Sequence, residues 1–227
     1  MAKTALILGA RLNLSKILEG YEQKIVKTIY GNALLFVKGK SVILLRHGKS
    51  NIPAHRINHK ANICALNLEG VERIFSVCPV ESLSLKLKPG SFIVVDDYVN
   101  FQDETFFEMD SKSIVPGISE ELRKHLLAMA KKKKILVKTS GVYVQTRGPR
   151  FETKAEIRVL QKWGDVVGMT MGTEATLARE IGLPYASLCY VIQFANGVGK
   201  ASSVKTAEAT RVKSQTRAEK IAQSLLV

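Results

Sequence analysis

The apolar positions of this chain fall into short β-branched runs that alternate with longer stretches of helical period. Residues 4–9 read as a first buried strand, and three more follow at 24–30, 33–38 and 41–46. Gly31-Asn32 and Gly39-Lys40 separate these three, and such glycine-containing pairs are hairpin signals. Residues 12–18 read as a short helix or turn. Further on, 57–69 predicts a helix, 73–77 a strand, 92–98 another strand, 119–133 a helix, and 207–226 a C-terminal helix.

The segment 141–180 is the richest in chemistry. It is preceded by ILVKTSGVYVQ, residues 135–145, which reads as a buried strand interrupted by Gly141. Gly148 and Pro149 stop that strand, and Thr153 caps a helix whose stripe is Ile157, Leu160 and Trp163, ending at Gly164. DVVGMT then reads as a strand. Gly172 and Thr173 turn the chain into the helix TEATLAREIG, and 183–193 is another apolar strand. Strand, loop and helix thus recur three times. Ligands in α/β sheets bind at the carboxyl ends of strands, so the loops 147–153, 169–173 and 193–197 are expected to converge on one pocket.

Length and charge bound the picture. The 227 residues contain 46% hydrophobic positions, ample for a core, and nothing reads as a linker or repeat, so one domain over 1–227 is expected. The formal net charge of +14 attracts anions in general. Its basic residues are scattered rather than interleaved with aromatics on one face, which argues against a nucleic-acid partner. Acids open the helix at 119–133 and Lys131 to Lys134 close it, as the helix dipole favours. Cys64, Cys78 and Cys189 lack metal or redox spacing and read as reduced core residues. No secretory segment or membrane span is read, so no membrane partner and a cytoplasmic location are expected. The four histidines lack ligand partners at metal spacing, so no metal is expected.

The run GPRFET, AEIR, GDVVGMT, TEA, LARE resembles the trimeric purine nucleoside phosphorylases, most closely their methylthioadenosine phosphorylase branch. Upstream, RHGKSNIPAHRINHKANICAL from Arg46 and GVERIFSVCPVESLSLKLKPGSFIVVDDYVNF from Gly70 resemble the same family. The resemblance covers residues 6–197. It implies an α/β domain whose mixed, partly barrel-like sheet is flanked by helices. It also implies phosphorolysis of a purine nucleoside, with or without a 5′-methylthio group, giving free purine and a pentose 1-phosphate in purine salvage. Inorganic phosphate is then a co-substrate and no cofactor is needed. A homotrimer or dimer of trimers is implied, with Phe101, Phe106 and Phe107 as candidates to complete a neighbour's site.

Residue by residue, the resemblance assigns Arg46, His47 and Thr170 to phosphate, where a guanidinium fork makes paired charge-assisted hydrogen bonds. Phe151, Glu152 and Met169 take the base and sugar. An ionised Glu152 only accepts, which favours a purine with N1–H, although it also stands where it would cap the following helix. Gln193 stands where relatives place the Asp or Asn that meets N7, and Ala195 where the adenine-specific branch has a second Asp.

Several positions depart from the family. Arg11 replaces a hydroxyl residue of the phosphate loop, where it either binds phosphate or fills its place, and Leu12 replaces a glycine. Ser50 and Asn51 occupy the segment that meets the ribose. Cys78, Pro79 and Glu81 replace small hydroxyl and glycine positions; Pro79 has no N–H to donate, and Glu81 repels phosphate unless Arg11 pairs with it. These departures motivate the alternative of a nucleoside-binding or assembly subunit without turnover.

Overall fold

The structure is a computed structural model that describes residues 2–9, 17–101, 104–110, 112–200 and 203–226. Arg11, Leu12 and most of the predicted helix or turn at 12–18 lie outside the described residues. Among the described residues eleven strands form one mixed sheet: β1 (Thr4–Leu8), β2 (Glu22–Thr28), β3 (Gly31–Lys38), β4 (Ser41–Leu45), β5 (Arg73–Ser82), β6 (Phe92–Val94), β7 (Asp97–Val99), β8 (Val137–Lys138), β9 (Val142–Gln145), β10 (Val166–Gly168) and β11 (Tyr185–Phe194). The hairpin β3–β4 turns at Gly39-Lys40 as expected, whereas β2–β3 turns two residues earlier than expected, at Ile29-Tyr30, and Gly31-Asn32 open β3, paired with Thr28 and Lys27.

The sheet branches at β5. Its first half lies parallel to β1, from Thr4 opposite Arg73 to Leu8 opposite Val77, and it runs parallel to β11 from Ile74 to Ser82. Its last residues pair antiparallel with β10, Glu81 with Val167 and Ser82 with Val166. One branch continues β11, β6, β8 and the other β10, β9, β7. The chain passing from β6 directly into β7 joins the two branches, which is the partial barrel expected.

Three expected elements differ in extent. The strand expected at 73–77 runs on to Ser82. Pro79 is tolerated there because β1 has ended and β10 has not begun, so no neighbour on that side needs its missing N–H. The single strand expected at 92–98 is two, since β6 pairs with β11 and β8 whereas β7 pairs with β9. The strand expected at 135–145 is likewise split into β8 and β9. Gly141 lies between them at φ +152°, and a Cβ there would stand 2.6 Å from Ile93 Cδ1. Its N–H donates to Asp96 Oδ1 at 2.8 Å, and Asp165 Oδ2 accepts from the Val142 N–H at 3.0 Å.

Among the described residues five helices cover the sheet: α1 (His59–Leu68), α2 (Glu120–Lys132), α3 (Lys154–Leu160), α4 (Met171–Glu180) and α5 (Val204–Gln223). Local capping fixes most starts: Asn58, Ser119, Thr153 and Ser203 each accept from a backbone N–H in the first turn. α1 therefore begins two residues later than expected, after a short 3-10 turn at Ala54–Arg56. α3 ends at Leu160, so Trp163 leaves the predicted stripe and is 44% exposed. The core clusters divide accordingly. Ile63, Leu66, Ala175 and Ala178 of α1 and α4 pack on one face, Leu122, Leu126, Ala218 and Ile221 of α2 and α5 on the other, and Ile157 and Leu160 of α3 cover Val144 and Val167. Cys78 and Cys189 are buried as expected, while Cys64 is only partly so.

Candidate active site

The gap that accommodates Pro79, between the end of β1 and the start of β10 pairing, opens into a cleft of about 180 Å³. Arg46, His47, Thr170, Phe151, Glu152 and Met169 all line it, joined by Pro79, Glu81 and Ile192. The loops expected to converge do so: Asn196 Nδ2 donates to the Glu152 carbonyl at 3.1 Å, and Gly168 and Met169 reach the same cavity.

Arg46 follows β4, and its backbone N–H continues the sheet to the Leu8 carbonyl at 3.0 Å. Its guanidinium is buried against Glu174, with Nε 2.5 Å from Oε1 and Nη2 2.9 Å from Oε2. Nη1 donates to the Val77 carbonyl at 3.2 Å and Nη2 to Cys78 Sγ at 3.1 Å. Burial opposes charge on both partners, but their attraction prevails: Arg46 is held well above its ordinary range and Glu174 below its own. Tyr185 Oη also donates to Glu174 Oε2 at 2.8 Å. Glu174 was not identified by sequence reasoning; its only signal is an acid in the first turn of α4, a position the helix dipole favours in any protein.

Thr170 lies between β10 and α4, at the N-terminus of the helix. The leading N–H groups there are taken elsewhere, those of Thr170 and Met171 by Tyr143 Oη at 3.1 and 3.4 Å and that of Thr173 by Gln145 Oε1 at 3.1 Å. The Thr170 hydroxyl makes no capping bond, so it is available to a ligand. Gly168 permits this approach of Tyr143, since a Cβ at that position would collide with the phenol oxygen. His47 Nδ1 lies 2.7 Å from the Ile52 carbonyl, which makes Nδ1 the protonated nitrogen and leaves Nε2 for a ligand. Burial lowers its pKa from the ordinary histidine value.

Phe151 stands at the cleft mouth, 61% exposed, and Glu152 is buried. The capping alternative for Glu152 is excluded by the capping box that Thr153 forms with Glu156 at the start of α3. Gln193 is not among the cleft-lining residues; its Nε2 donates to Glu81 Oε1 at the cleft wall. Ser50 and Asn51 are exposed in the turn after Arg46, and Ala54 is the residue of that segment that reaches the cleft. Ala195 is buried with the α3 cluster. Phe101 is exposed and meets Trp163 edge-on at 5.5 Å, while Phe106 packs against Tyr30 at 5.2 Å. Among the described residues no group of histidine, cysteine and carboxylate side chains is placed to hold a metal, and no helix is long and apolar enough to cross a membrane.

His59, the first residue of α1, is a second feature that sequence reasoning missed. It is buried, its Nδ1 lies 4.0 Å from Glu174 Oε1 and has no hydrogen-bond partner among the described residues, and burial lowers its pKa to about 4. The unfolded chain binds a proton that the folded one refuses between about pH 6.5 and 4, so stability falls as pH falls through that window. The loss amounts to about 3 kcal/mol. His59→Gln is expected to flatten this part of the unfolding profile, measured by urea denaturation at about pH 7 and about pH 4.5; an unchanged profile would show that His59 is not the acid-sensitive group.

A sequence profile described as the phosphorylase superfamily matches residues 5–227. A probable S-methyl-5′-thioinosine phosphorylase of Methanocaldococcus jannaschii is 42% identical over 197 residues, covering 82% of this chain and 77% of the relative. A probable 6-oxopurine nucleoside phosphorylase of Archaeoglobus fulgidus is 41% identical over 190 residues, covering 81% and 78%. The methylthioadenosine phosphorylase of Schistosoma mansoni, solved with adenine, superposes with a TM-score of 0.85 at 26% identity over 99% of this chain and 92% of that one. Fold, profile and sequence identity agree with the resemblance read from the motifs, and the chain belongs to the phosphorylase superfamily.

Proposed function

We propose that the protein is a purine nucleoside phosphorylase acting on 6-oxopurine nucleosides, with or without a 5′-methylthio group. The observation that carries this reading is one cleft with anion-binding chemistry from Arg46, His47 and Thr170 together with a flat-base site from Phe151 and Glu152. The relatives named above act, by their names, on 6-oxopurine nucleosides and methylthioinosine.

In this reading phosphate sits against the Thr170 hydroxyl and His47 Nε2, within the field of Arg46. Glu174 neutralises much of the Arg46 charge, so the guanidinium acts as an anchored donor rather than a free cation. A phosphate oxygen attacks the anomeric carbon as the bond to purine N9 breaks through an oxocarbenium-like state. Glu152 accepts from N1–H, which a 6-oxopurine carries and adenine lacks. Inorganic phosphate is the co-substrate and no cofactor takes part.

Assembly as a homotrimer or dimer of trimers is part of the same proposal, with the exposed Phe101 and Trp163 pair as an apolar contact between copies, and light scattering that gave a monomer mass would contradict it. We further propose that the reaction serves purine salvage in the cytoplasm. To test the function, inosine, guanosine, methylthioinosine and adenosine are incubated with and without phosphate. Release of hypoxanthine or guanine only with phosphate supports the reading, and no phosphate-dependent release from any of them overturns it.

A further inference from the structure

We propose that Glu81 is the proton donor to N7 of the departing purine, with Gln193 as the residue that positions it; the proposal rests on the phosphorylase reading above. Glu81 and Pro79 are two residues apart on β5 and therefore share a face, about 7 Å apart along the strand. Pro79 marks the phosphate end, because a Cβ on Gly9 would stand 3.7 Å from Pro79 Cδ and 3.5 Å from Arg46 Nη1. Glu81 is thus displaced from the anion site towards the base, on the wall of the same cleft as Glu152.

The strand β11 is built to hold it. Val191 pairs with Val80 and Gln193 with Glu81, so Ile192 is an extra residue in a bulge. Bulges beside active sites re-aim side chains, and here the result is the bond from Gln193 Nε2 to Glu81 Oε1. Gln193 occupies Oε1 and leaves Oε2 without a hydrogen bond among the described residues. The charged or titratable groups that share the cleft with Glu81 are Glu152, Arg46 and His47, while its neighbours on β10 and β11 are the uncharged Val167 and Gln193. Burial, with the negative charge of Glu152 adding to it against the Gln193 bond, raises the Glu81 pKa to about 7.

A purine leaving from N9 carries the bonding pair into its imidazole ring, and the charge is quenched by a proton at N7. The Glu81 O–H bond breaks, the N7–H bond forms, phosphate oxygen bonds C1′, and neutral purine leaves while Glu81 becomes carboxylate. Water reprotonates it for the next turnover. Gln193 itself has no acidic proton to transfer, so it supports the donor rather than replacing it.

The test compares inosine with 7-methylinosine, whose alkylated, cationic ring needs no proton at N7. Glu81→Gln is expected to lower inosine phosphorolysis about 100-fold or more and to leave 7-methylinosine phosphorolysis unchanged, which also shows that the variant is folded. The wild-type inosine rate is expected to fall above about pH 7, that limb is absent in Glu81→Gln, and Gln193→Ala moves it to higher pH by removing the bond that favours the carboxylate. Full inosine activity in Glu81→Gln, or equal loss on both substrates, overturns the proposal while leaving the phosphorylase reading intact. Absence of phosphate-dependent cleavage by the wild type overturns both.

Discussion

Arg46→Ala is expected to destabilise the protein by about 3–5 kcal/mol and to abolish phosphate-dependent turnover. The magnitude comes from what is left behind rather than from what the pair contributes. Glu174 is fully buried and its two oxygens are matched by Nε and Nη2 of Arg46. Without that fork its charge faces Tyr185 Oη and the unprotonated His59 alone. Urea denaturation measures the first effect and purine release the second. The double variant Arg46→Met/Glu174→Leu separates them: it is expected to recover most of the stability, because an apolar pair of similar volume often replaces a buried ion pair without loss, yet to remain inactive. Recovery of turnover in that double variant would show that Arg46 is structural only.

Glu152→Gln is expected to change the preferred base. The carboxylate offers acceptors only, and an accepted hydrogen bond to a charged group is worth about 1.5–3 kcal/mol, so inosine phosphorolysis falls about 10- to 100-fold. A glutamine amide can donate to the bare N1 of adenine, so the ratio of adenosine to inosine turnover rises. The ratio is the informative readout, since a fold defect would lower both rates together. An unchanged ratio would place the base elsewhere in the cleft.

Much of this site was legible because its functional residues sit in contiguous motifs. GPRFET and VVGMT each follow or end a strand, and the rule that strand ends build α/β sites brings Glu152 and Thr170 together without coordinates, while the resemblance carried by RHG adds Arg46. The β3–β4 hairpin and the buried β1 were legible for a similar reason, their signals being local. What escaped depends on contacts between distant segments. Glu174 is 128 residues from Arg46 and looks like an ordinary first-turn acid. The extent of β5 was hidden by Pro79, which reads as a strand breaker until the unpaired stretch between β1 and β10 is known. The partnership of Glu81 with Gln193 rests on a one-residue bulge in β11, and nothing in VIQFANG announces it. Glu81 reads from sequence as an obstacle to phosphate. The register instead places it two strand positions away from that end of the cleft, where a protonated carboxyl has a use.

The most direct test of the central claim is to follow phosphorus during turnover of inosine or methylthioinosine by phosphorus nuclear magnetic resonance. The account predicts a pentose 1-phosphate resonance that grows in step with released purine while inorganic phosphate declines equally. Purine release accompanied by free pentose and unchanged phosphate would contradict it.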